Sequence, residues 1–365
     1  MKLSKKIGLG IFAIPIQYTF VQLLAREPAL VEKYYSMGFY PFISKTLRLF
    51  LGWIPFSFGD LLGFVILFYF LKSIYLLIKS RFTNWIQKTV NLILFLSSLY
   101  FCFYLFWGFN YFRNPLSHKL GLKHSNYTTE DLLKTTDTIV SLLNNSHFTI
   151  TKNDTSKVNI PYTINQIHDI APDGFNKLSI IHPEFAYHFP SIKNSAVSSF
   201  QSYNGTSGYI NPITGEAQIN SLIPKTGYPA TVCHEMAHQI GWAAENEANF
   251  ISFLSSIYND DIYFRYAGYR MAYQYCIREL YRRDKALAKN IKKKVNIGIY
   301  KDYKDSNLFW KSYENPIEPI MKRGYNSYLK ANNQTKGIRS YSYVVDLLIA
   351  YYKQFCAKQL TIKNQ

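Results

Sequence analysis

The chain has 365 residues and a formal net charge of +18, with 41 lysine and arginine residues against 23 aspartate and glutamate residues. This length allows more than one domain. The basic residues are scattered without a nucleic-acid-binding signature, so we expect no nucleic acid partner; proximity to an anionic membrane or an acidic envelope polymer explains the charge as well. The four cysteines lack a CxxC spacing, which excludes a disulfide framework and a cysteine-based metal knuckle.

Residues 1–110 are crowded with apolar and aromatic side chains and predict a membrane domain with about three transmembrane helices. The predicted spans are residues 7–24, 58–78 and 90–109, and an interfacial or re-entrant piece is expected over residues 42–58. The first span is the weakest, and a signal peptide is its alternative interpretation. Because no clean small-residue cleavage site follows it, we favour an uncleaved anchor.

The short basic flanks of these spans set the expected orientation. Three lysines precede the first span, and Lys79, Arg81 and Lys88 lie between the second and the third. Positive residues in short loops favour the cytoplasmic side. Three spans then place residues 111–365, the predicted second domain, outside the cytoplasm. The protein is therefore expected to contact the lipid bilayer as a multi-pass membrane protein.

Helical patterns dominate the region that follows. Residues 128–131 resemble a capping box that opens a helix to about residue 143, and residues 147–160 are expected to form a loop. A helix over residues 164–178 is expected to be interrupted at Pro172 and Gly174.

Two short alternating runs, residues 208–211 and 216–222, flank turn residues and predict a β-hairpin. The second run is a candidate edge strand that holds an extended peptide by main-chain pairing, and an ordinary surface hairpin is the alternative.

Four further segments complete the pattern. A helix begins near Ala230, and apolar helices follow over residues 250–257, 262–283 and 341–360. The lysine-rich residues 286–304 are expected to form a solvated helix face or a loop.

The segment His234-Glu235-Met236-Ala237-His238 is a complete HExxH motif. Residues four apart share one face of a helix, so both imidazoles can reach one metal ion. The glutamate beside the first histidine is then placed to act as general base on a metal-bound water. The alternative is two histidines on one helix face beside a surface glutamate.

A catalytic zinc site usually has a third protein ligand, and the sequence offers Glu245 and Glu247. A straight helix carries Glu245 about 10 Å beyond His238 along its axis, too far to share a metal. Gly241 offers a left-handed end to the helix, after which the chain can turn back. We prefer Glu245, because Asn249 then lies on the same helix face and can orient a ligating histidine.

Other polar residues receive weaker assignments. An oxyanion needs a further donor, for which three tyrosines of the predicted helix over residues 262–283 are candidates, although each suits core packing better: Tyr266, Tyr269 and Tyr273. Cys233 is expected to face the core. His182 and His188 are assigned no role.

The segment HEMAHQIGWAAENEANF resembles the gluzincin class of metallopeptidases, in which HExxH is followed by a helix of the ExxA[DN] type. More closely, NPITGEAQIN, IPKTGYPATVCHEMAHQIG and ENEANF resemble the bacterial DUF3810 membrane protein family, over most of the chain. The gluzincin resemblance implies Zn²⁺ held by His234, His238 and a glutamate, with Glu235 as base. Ala244 stands where metzincins carry a third histidine, which argues against that class.

We therefore expect a mostly α protein, in which N-terminal transmembrane helices precede a zincin-like α+β domain with a small β-hairpin or sheet next to the metal helix. The expected function is a zinc metallopeptidase of the bacterial inner (cell) membrane, acting on peptides or proteins. Three alternatives stay open. They are an amidase acting on cell-wall crosslinks, an envelope binding or scaffolding protein whose metal site is structural or vestigial, and a transporter, for which the spans offer few intramembrane charges.

Overall fold

The structure is a computed structural model that describes residues 3–122, 127–334, 336–337 and 343–363. It is mostly helical, with one small sheet. The N-terminal helices are α1 (Leu3–Ala25), α2 (Pro28–Leu30), α3 (Tyr40–Leu51), α4 (Phe58–Lys79), α5 (Trp85–Phe106) and α6 (Leu116–Lys119). A π-helical segment, Val31–Phe39, joins α2 to α3, and a 3₁₀ turn, Gly108–Phe112, follows α5.

The remaining helices are α7 (Thr129–Thr151), α8 (Ile164–Ile181), α9 (Ser198–Tyr203), α10 (Tyr228–Gln239), α11 (Glu245–Tyr258), α12 (Ile262–Arg283), α13 (Lys285–Lys293), α14 (Ile297–Ser312), α15 (Glu318–Ala331) and α16 (Val344–Lys363). A second 3₁₀ turn covers Pro183–Phe185. The three strands are β1 (Ile192–Asn194), β2 (Gly208–Ile210) and β3 (Ala217–Ile219).

Within the described residues, two helices are long and apolar enough to cross a membrane, α4 and α5. The first predicted span lies within α1, and the apolar stretch found among its described side chains is Phe12–Ala25. The predicted end of the last span at residue 109 is wrong. Trp107 and Gly108 already lie buried against the rest of the protein, so the apolar run continues into the core.

The predicted interfacial piece corresponds mainly to α3, which buries two polar side chains beside Tyr40 and Ile43 and exposes several large apolar ones. Its buried face carries Ser44 and Arg48, and the Arg48 guanidinium lies 4.6 Å from the ring centre of Tyr187. Its exposed face carries apolar side chains, namely Phe42, Leu49 and Phe50. An exposed apolar face of this kind fits the surface of a bilayer.

The start of α4 is bound to the sheet region by charged groups. The Glu216 carboxylate accepts hydrogen bonds from the backbone N–H groups of Phe58, at 3.1 Å, and Gly59. A carboxylate at this position also complements the positive end of the helix dipole. The Lys193 ammonium donates to the Gly52 carbonyl at 2.7 Å. The membrane-type helices are therefore anchored to the larger part of the protein by specific polar contacts.

The sheet has the strand order β1-β3-β2, with β3 parallel to β1 and antiparallel to β2. The predicted hairpin is therefore present. The proposal that residues 216–222 provide the edge strand is wrong, because β3 is paired on both sides. Ser207, Tyr209 and Asn211 make the pairing bonds of β2 toward the β3 side. The main-chain groups of Gly208 and Ile210 consequently point to the open edge.

Helices α8, α11 and α12 pack against α10, and α7 and α16 pack on α12; together these helices form the main hydrophobic core. Cys233 on α10 is fully buried in this core, as expected. Helix α8 runs through Pro172 without a break, contrary to the predicted interruption, because burial of one of its faces against α11 outweighs the local cost of proline.

Several predicted boundaries shift. The helix expected from residue 250 begins at Glu245. Helix α7 continues to Thr151, a little more than one turn into the predicted loop over residues 147–160. Residues 286–304 form parts of two helices rather than a loop. The predicted start of the last helix lies partly among residues 338–342, outside the described part of the chain.

Side chains from the N-terminal third hold the C-terminal end of α10. Tyr40 and Ser44 both donate to the Gln239 carbonyl, at 3.0 and 2.6 Å, and the Trp107 indole donates to the His238 carbonyl at 3.3 Å. The last carbonyls of a helix lack partners within the helix itself. These donors therefore fix where α10 ends.

Gly241 ends this turn with a left-handed backbone, φ +89°, and a Cβ built there meets the Tyr40 ring at 2.9 Å. We predict that Gly241→Ala lowers the free energy of unfolding by more than about 1 kcal/mol, since it adds a steric clash to an unfavourable backbone conformation. The measurement is thermal or denaturant unfolding of the full chain in detergent. Gly324→Ala is the control: a Cβ there meets nothing within 4 Å, so stability stays equal or rises. Equal effects of both substitutions would contradict the assignment.

Candidate metal centre

Three side chains converge at the C-terminal half of α10. The Nε2 atoms of His234 and His238 lie 3.1 Å apart, and the Oε2 atom of Glu245 lies 3.2 Å from the first and 3.7 Å from the second. Potential ligand atoms of all three residues lie within 4.8 Å of one another. Two imidazole nitrogens and one carboxylate oxygen form the donor set typical of a catalytic zinc site.

The chain reversal after α10 brings the carboxylate back. Helix α10 ends at Gln239, Gly241 takes the left-handed conformation, and α11 begins with Glu245 itself. The Ala237 carbonyl accepts from the Trp242 N–H at 3.2 Å, which closes the turn. The expected glycine break is therefore present, and it places Glu245 beside the two histidines.

The ring orientation of His238 is fixed from behind. Its Nδ1 lies 2.7 Å from the carbonyl oxygen of Trp242, and a carbonyl can only accept, so Nδ1 carries a proton. In the neutral ring Nε2 is then the nitrogen left available to a metal ion. Asn249 was expected to orient a ligating histidine. It is buried nearby, but no hydrogen bond joins it to either imidazole in the described structure, and its Nδ2 and the Nδ1 of His234 both lack partners.

Glu245 has one oxygen engaged and one oriented toward the histidines. Its Oε1 accepts a hydrogen bond from the Tyr325 hydroxyl at 2.7 Å, while its buried Oε2 makes no hydrogen bond with described residues. Burial by itself raises the pKa of Glu245, but the two neighbouring imidazoles lower it well below its ordinary value. The same contacts act on His238: burial alone lowers its pKa, and Glu245 and Glu235 together with the Trp242 carbonyl raise it to about 9.

Glu247, the other candidate ligand, is used elsewhere. Its Oε1 accepts the backbone N–H of Leu116 at 2.6 Å, and it is absent from the cluster of potential ligands. Burial raises the pKa of Glu247 to about 7, against the lowering effects of the Leu116 N–H and of Arg113. Closure of one metal site by both glutamates, as a structural zinc requires, does not fit this arrangement.

Glu235 lies beside the cluster and against the edge strand. Its side chain is buried, and a Cβ built on Gly208 meets its Oε1 at 2.8 Å, so only glycine allows the strand to approach this closely. Its Oε2 has no hydrogen-bond partner in the described structure. Burial raises the pKa of Glu235, and the two histidines partly offset the rise.

The cluster opens into a cleft of about 1240 Å³. Helix α10 forms one side of the cleft, the edge strand β2 a second, α12 a third and α15 a fourth. Five basic side chains line it, from three parts of the chain: Arg270, Arg278, Arg282, Lys322 and Lys336. The cleft is large enough for several residues of an extended peptide or for another ligand of that size.

The tyrosines proposed as oxyanion donors are not positioned for that role. Tyr266, Tyr269 and Tyr273 do not line the cleft, and the Tyr266 hydroxyl donates to Asp302 at 2.6 Å in the core. The neighbouring helix face lines the cleft instead and presents Tyr275, while Tyr325 comes from α15. Tyr325 lies 80 residues after Glu245, and no local sequence pattern indicates that the two meet. His182 and His188 also lie outside the cleft lining.

The chain belongs to the DUF3810 family, whose model matches residues 35–349 and is described as a protein of unknown function. The match begins within the π-helical segment, covers both membrane-type helices and the three converging side chains, and ends in the first third of α16. No curated protein and no solved structure matches the chain.

The two glutamates give opposite predictions for metal retention. Glu245→Gln removes a charged ligand, so we expect the affinity for Zn²⁺ to fall by more than about 100-fold, beyond the loss typical of residues that only support a ligand. Glu247→Gln leaves the three converging side chains in place and retains the metal. The measurement is zinc content and competition with a chelator in the purified full chain. Loss of zinc in Glu247→Gln, with retention in Glu245→Gln, would reverse the assignment.

Proposed function

We propose that this protein is a membrane-anchored zinc metallopeptidase, in which His234, His238 and Glu245 hold the ion. The observation that carries the proposal is the convergence of these three side chains beside a buried glutamate at the wall of a large cleft. Three protein ligands leave a position for water, which is the pattern of catalytic rather than structural zinc sites. When bound, zinc supplies Lewis-acid polarisation of a carbonyl and lowers the pKa of a bound water.

The donor set supports this ion on chemical grounds. The Oε2 of Glu245 is buried, makes no hydrogen bond with described residues and faces the two imidazoles, and the Nε2 of His238 is the free nitrogen of the neutral ring; both are suited to a cation. Two carboxylates, Glu235 and Glu245, are buried within one small region, and burial of such charges is costly without a compensating positive charge.

Glu235 has the properties of a general base. Its Oε2 is free of hydrogen bonds within the described residues, and its raised pKa makes the carboxylate a better proton acceptor than an exposed glutamate. The close approach of Gly208 fixes its position between the cluster and the open strand edge. In the proposed reaction Glu235 accepts a proton from the attacking water and later donates it to the leaving amine.

The open edge of β2 is the proposed peptide-binding element. The outward main-chain groups of Gly208 and Ile210 line the same cleft as Glu235. An extended peptide paired with this edge receives main-chain hydrogen bonds and passes directly in front of the glutamate. This geometry favours a peptide substrate over a compact non-peptide amide.

We also propose that the cleft lies outside the cytoplasm. The first residues of α4 and the residues after α5 both contact the larger part of the protein, so the connection at residues 80–84 lies at the far ends of the two helices. Each helix has 22 residues, about 33 Å, which is enough to cross a bilayer. Lys79 and Arg81 at that connection favour the cytoplasmic side.

The topology predicts which surface positions react with a membrane-impermeant maleimide in spheroplasts. Thr83→Cys lies at the connection between α4 and α5, and Asn290→Cys lies on the exposed surface of α13. We expect labelling of the α13 position in intact spheroplasts and labelling of the Thr83 position only after permeabilisation. The reverse pattern would place the cleft in the cytoplasm. The unsubstituted chain controls for reaction of its own cysteines.

The proposed role of Glu235 predicts a separation of metal binding from activity. Glu235→Gln keeps the shape of the side chain but removes the proton acceptor, so we expect zinc content near that of the unsubstituted chain and cleavage slower by about 100- to 10,000-fold. The measurement is cleavage of a fluorogenic peptide library by the full chain in detergent, with zinc quantified in the same sample. Unchanged cleavage in this variant would rule out the mechanism, and cleavage of cell-wall crosslinks instead of peptides would indicate an amidase.

A further inference from the structure

We propose that Arg270 and the N-terminal end of α10 form a carboxylate-binding subsite in the cleft. The proposal deepens the peptidase function proposed above and rests on it for the meaning of the bound carboxylate. It assigns the substrate class as peptides that carry a carboxylate about three residues from the bond that is cut.

Arg270 is a buried cation without a carboxylate partner. Only 7% of the residue is exposed, and no ion pair joins it to any acidic group in the parts of the chain that the structure describes. Its Nη2 donates to the Ser306 hydroxyl at 2.8 Å, and its guanidinium lies 4.3 Å from the ring centre of Tyr303. Its Nε is buried with no hydrogen-bond partner. A buried arginine in this condition is unusual, because burial of a charge is costly unless it is paired.

Asp302 interacts electrostatically with Arg270, but its carboxylate is already hydrogen-bonded to other groups. The Asp302 carboxylate accepts hydrogen bonds from the Tyr266 hydroxyl at 2.6 Å and from the Val158 N–H at 3.3 Å, and it makes none with the Nε of Arg270. It lies close enough to interact with Arg270 electrostatically but not within ion-pair distance. The guanidinium therefore retains donor capacity toward the cleft that it lines.

The position of the guanidinium is fixed relative to α10. A Cβ built on Gly227, the N-cap residue of α10, meets the Nη1 atom of Arg270 at 3.3 Å. No side chain caps this end of the helix. The N–H groups of Gly227 and Tyr228 already donate to preceding carbonyls and Pro229 has none, so free N–H groups contribute little here. The positive end of the helix dipole still favours an anion, and the Arg270 guanidinium lies at the same place. Both Gly227 and Arg270 line the cleft that contains Glu235.

The spacing along α10 sets the distance to the reacting bond. Gly227 precedes His234 by seven residues, or about 10 Å along a helix axis. Ala230 and Thr231 line the cleft between them. An extended peptide advances about 3.3 Å per residue, so a carboxylate at Arg270 lies about three residues from the metal cluster. A terminal carboxylate there corresponds to release of a short C-terminal peptide, and a side-chain carboxylate corresponds to cleavage beside an acidic residue.

The test measures binding separately from cleavage. The probe is an N-acetylated hexapeptide of alternating alanine and glycine, as the free acid and as the C-terminal amide, added to the zinc-loaded full chain carrying Glu235→Gln. A second series consists of amidated hexapeptides in which one position at a time carries either glutamate or, as its neutral counterpart, glutamine. We expect the carboxylate form of one pair to bind about 10-fold or more tightly than its neutral form, as loss of a charge-assisted hydrogen bond predicts. The pair that shows the difference identifies the source of the carboxylate.

The variants assign the effect to Arg270. Arg270→Gln is expected to abolish the preference for the carboxylate form, and Arg265→Gln, on the same helix but outside the cleft lining, to leave it unchanged. The comparison of charged and neutral peptides needs no substitution of Arg270, so it stands even if Arg270→Gln fails to fold. Equal binding of the charged and neutral forms overturns the subsite, as does a preference that persists in a folded Arg270→Gln protein.

The outcomes for the subsite and for the peptidase are distinguishable. Cleavage by the unsubstituted chain without a carboxylate preference contradicts the subsite and leaves the peptidase. A carboxylate preference that depends on Arg270, in a protein that cleaves no peptide, supports the subsite and contradicts the peptidase.

Discussion

The reversal of the chain at Gly241 is the constraint on which the site depends. It ends α10 directly after the second histidine and returns Glu245, four residues after Gly241, to the two imidazoles. The turn is held from outside, because Tyr40 and Trp107 donate to the last carbonyls of α10 and Arg113 donates to the Gly241 carbonyl at 2.9 Å. The N-terminal third is thus part of the support of the site as well as a membrane-type region.

Charge explains why this arrangement suits a cation. Two carboxylates, Glu235 and Glu245, lie buried beside two imidazoles, and a divalent ion balances both negative charges. The two carboxylates are nevertheless in different environments. Glu245 contacts both histidines and its pKa falls, whereas Glu235 lies against the glycine of the edge strand and its pKa rises. This difference supports the proposal that Glu245 holds an ion and Glu235 accepts a proton.

The sequence predicts the parts of the site that depend on local spacing. The motif predicts the two histidines on one face, and Gly241 predicts the turn that returns Glu245. What the sequence could not predict depends on packing over long distances. Tyr325 reaches Glu245 from α15, and Glu247 is withdrawn by the Leu116 N–H, a contact that no local pattern indicates. The edge strand was misassigned for the same reason, since pairing of β1 with β3 joins segments 25 residues apart.

X-ray absorption at the zinc edge of the purified full chain tests the central claim most directly. The account predicts one zinc per chain, bound by two imidazole nitrogens and oxygen ligands at about 2.0–2.2 Å, with no sulfur in the first coordination sphere. The oxygen ligands correspond to Glu245 and to water. A chain that binds no transition metal after loading, or a spectrum that lacks the two imidazoles, would contradict it.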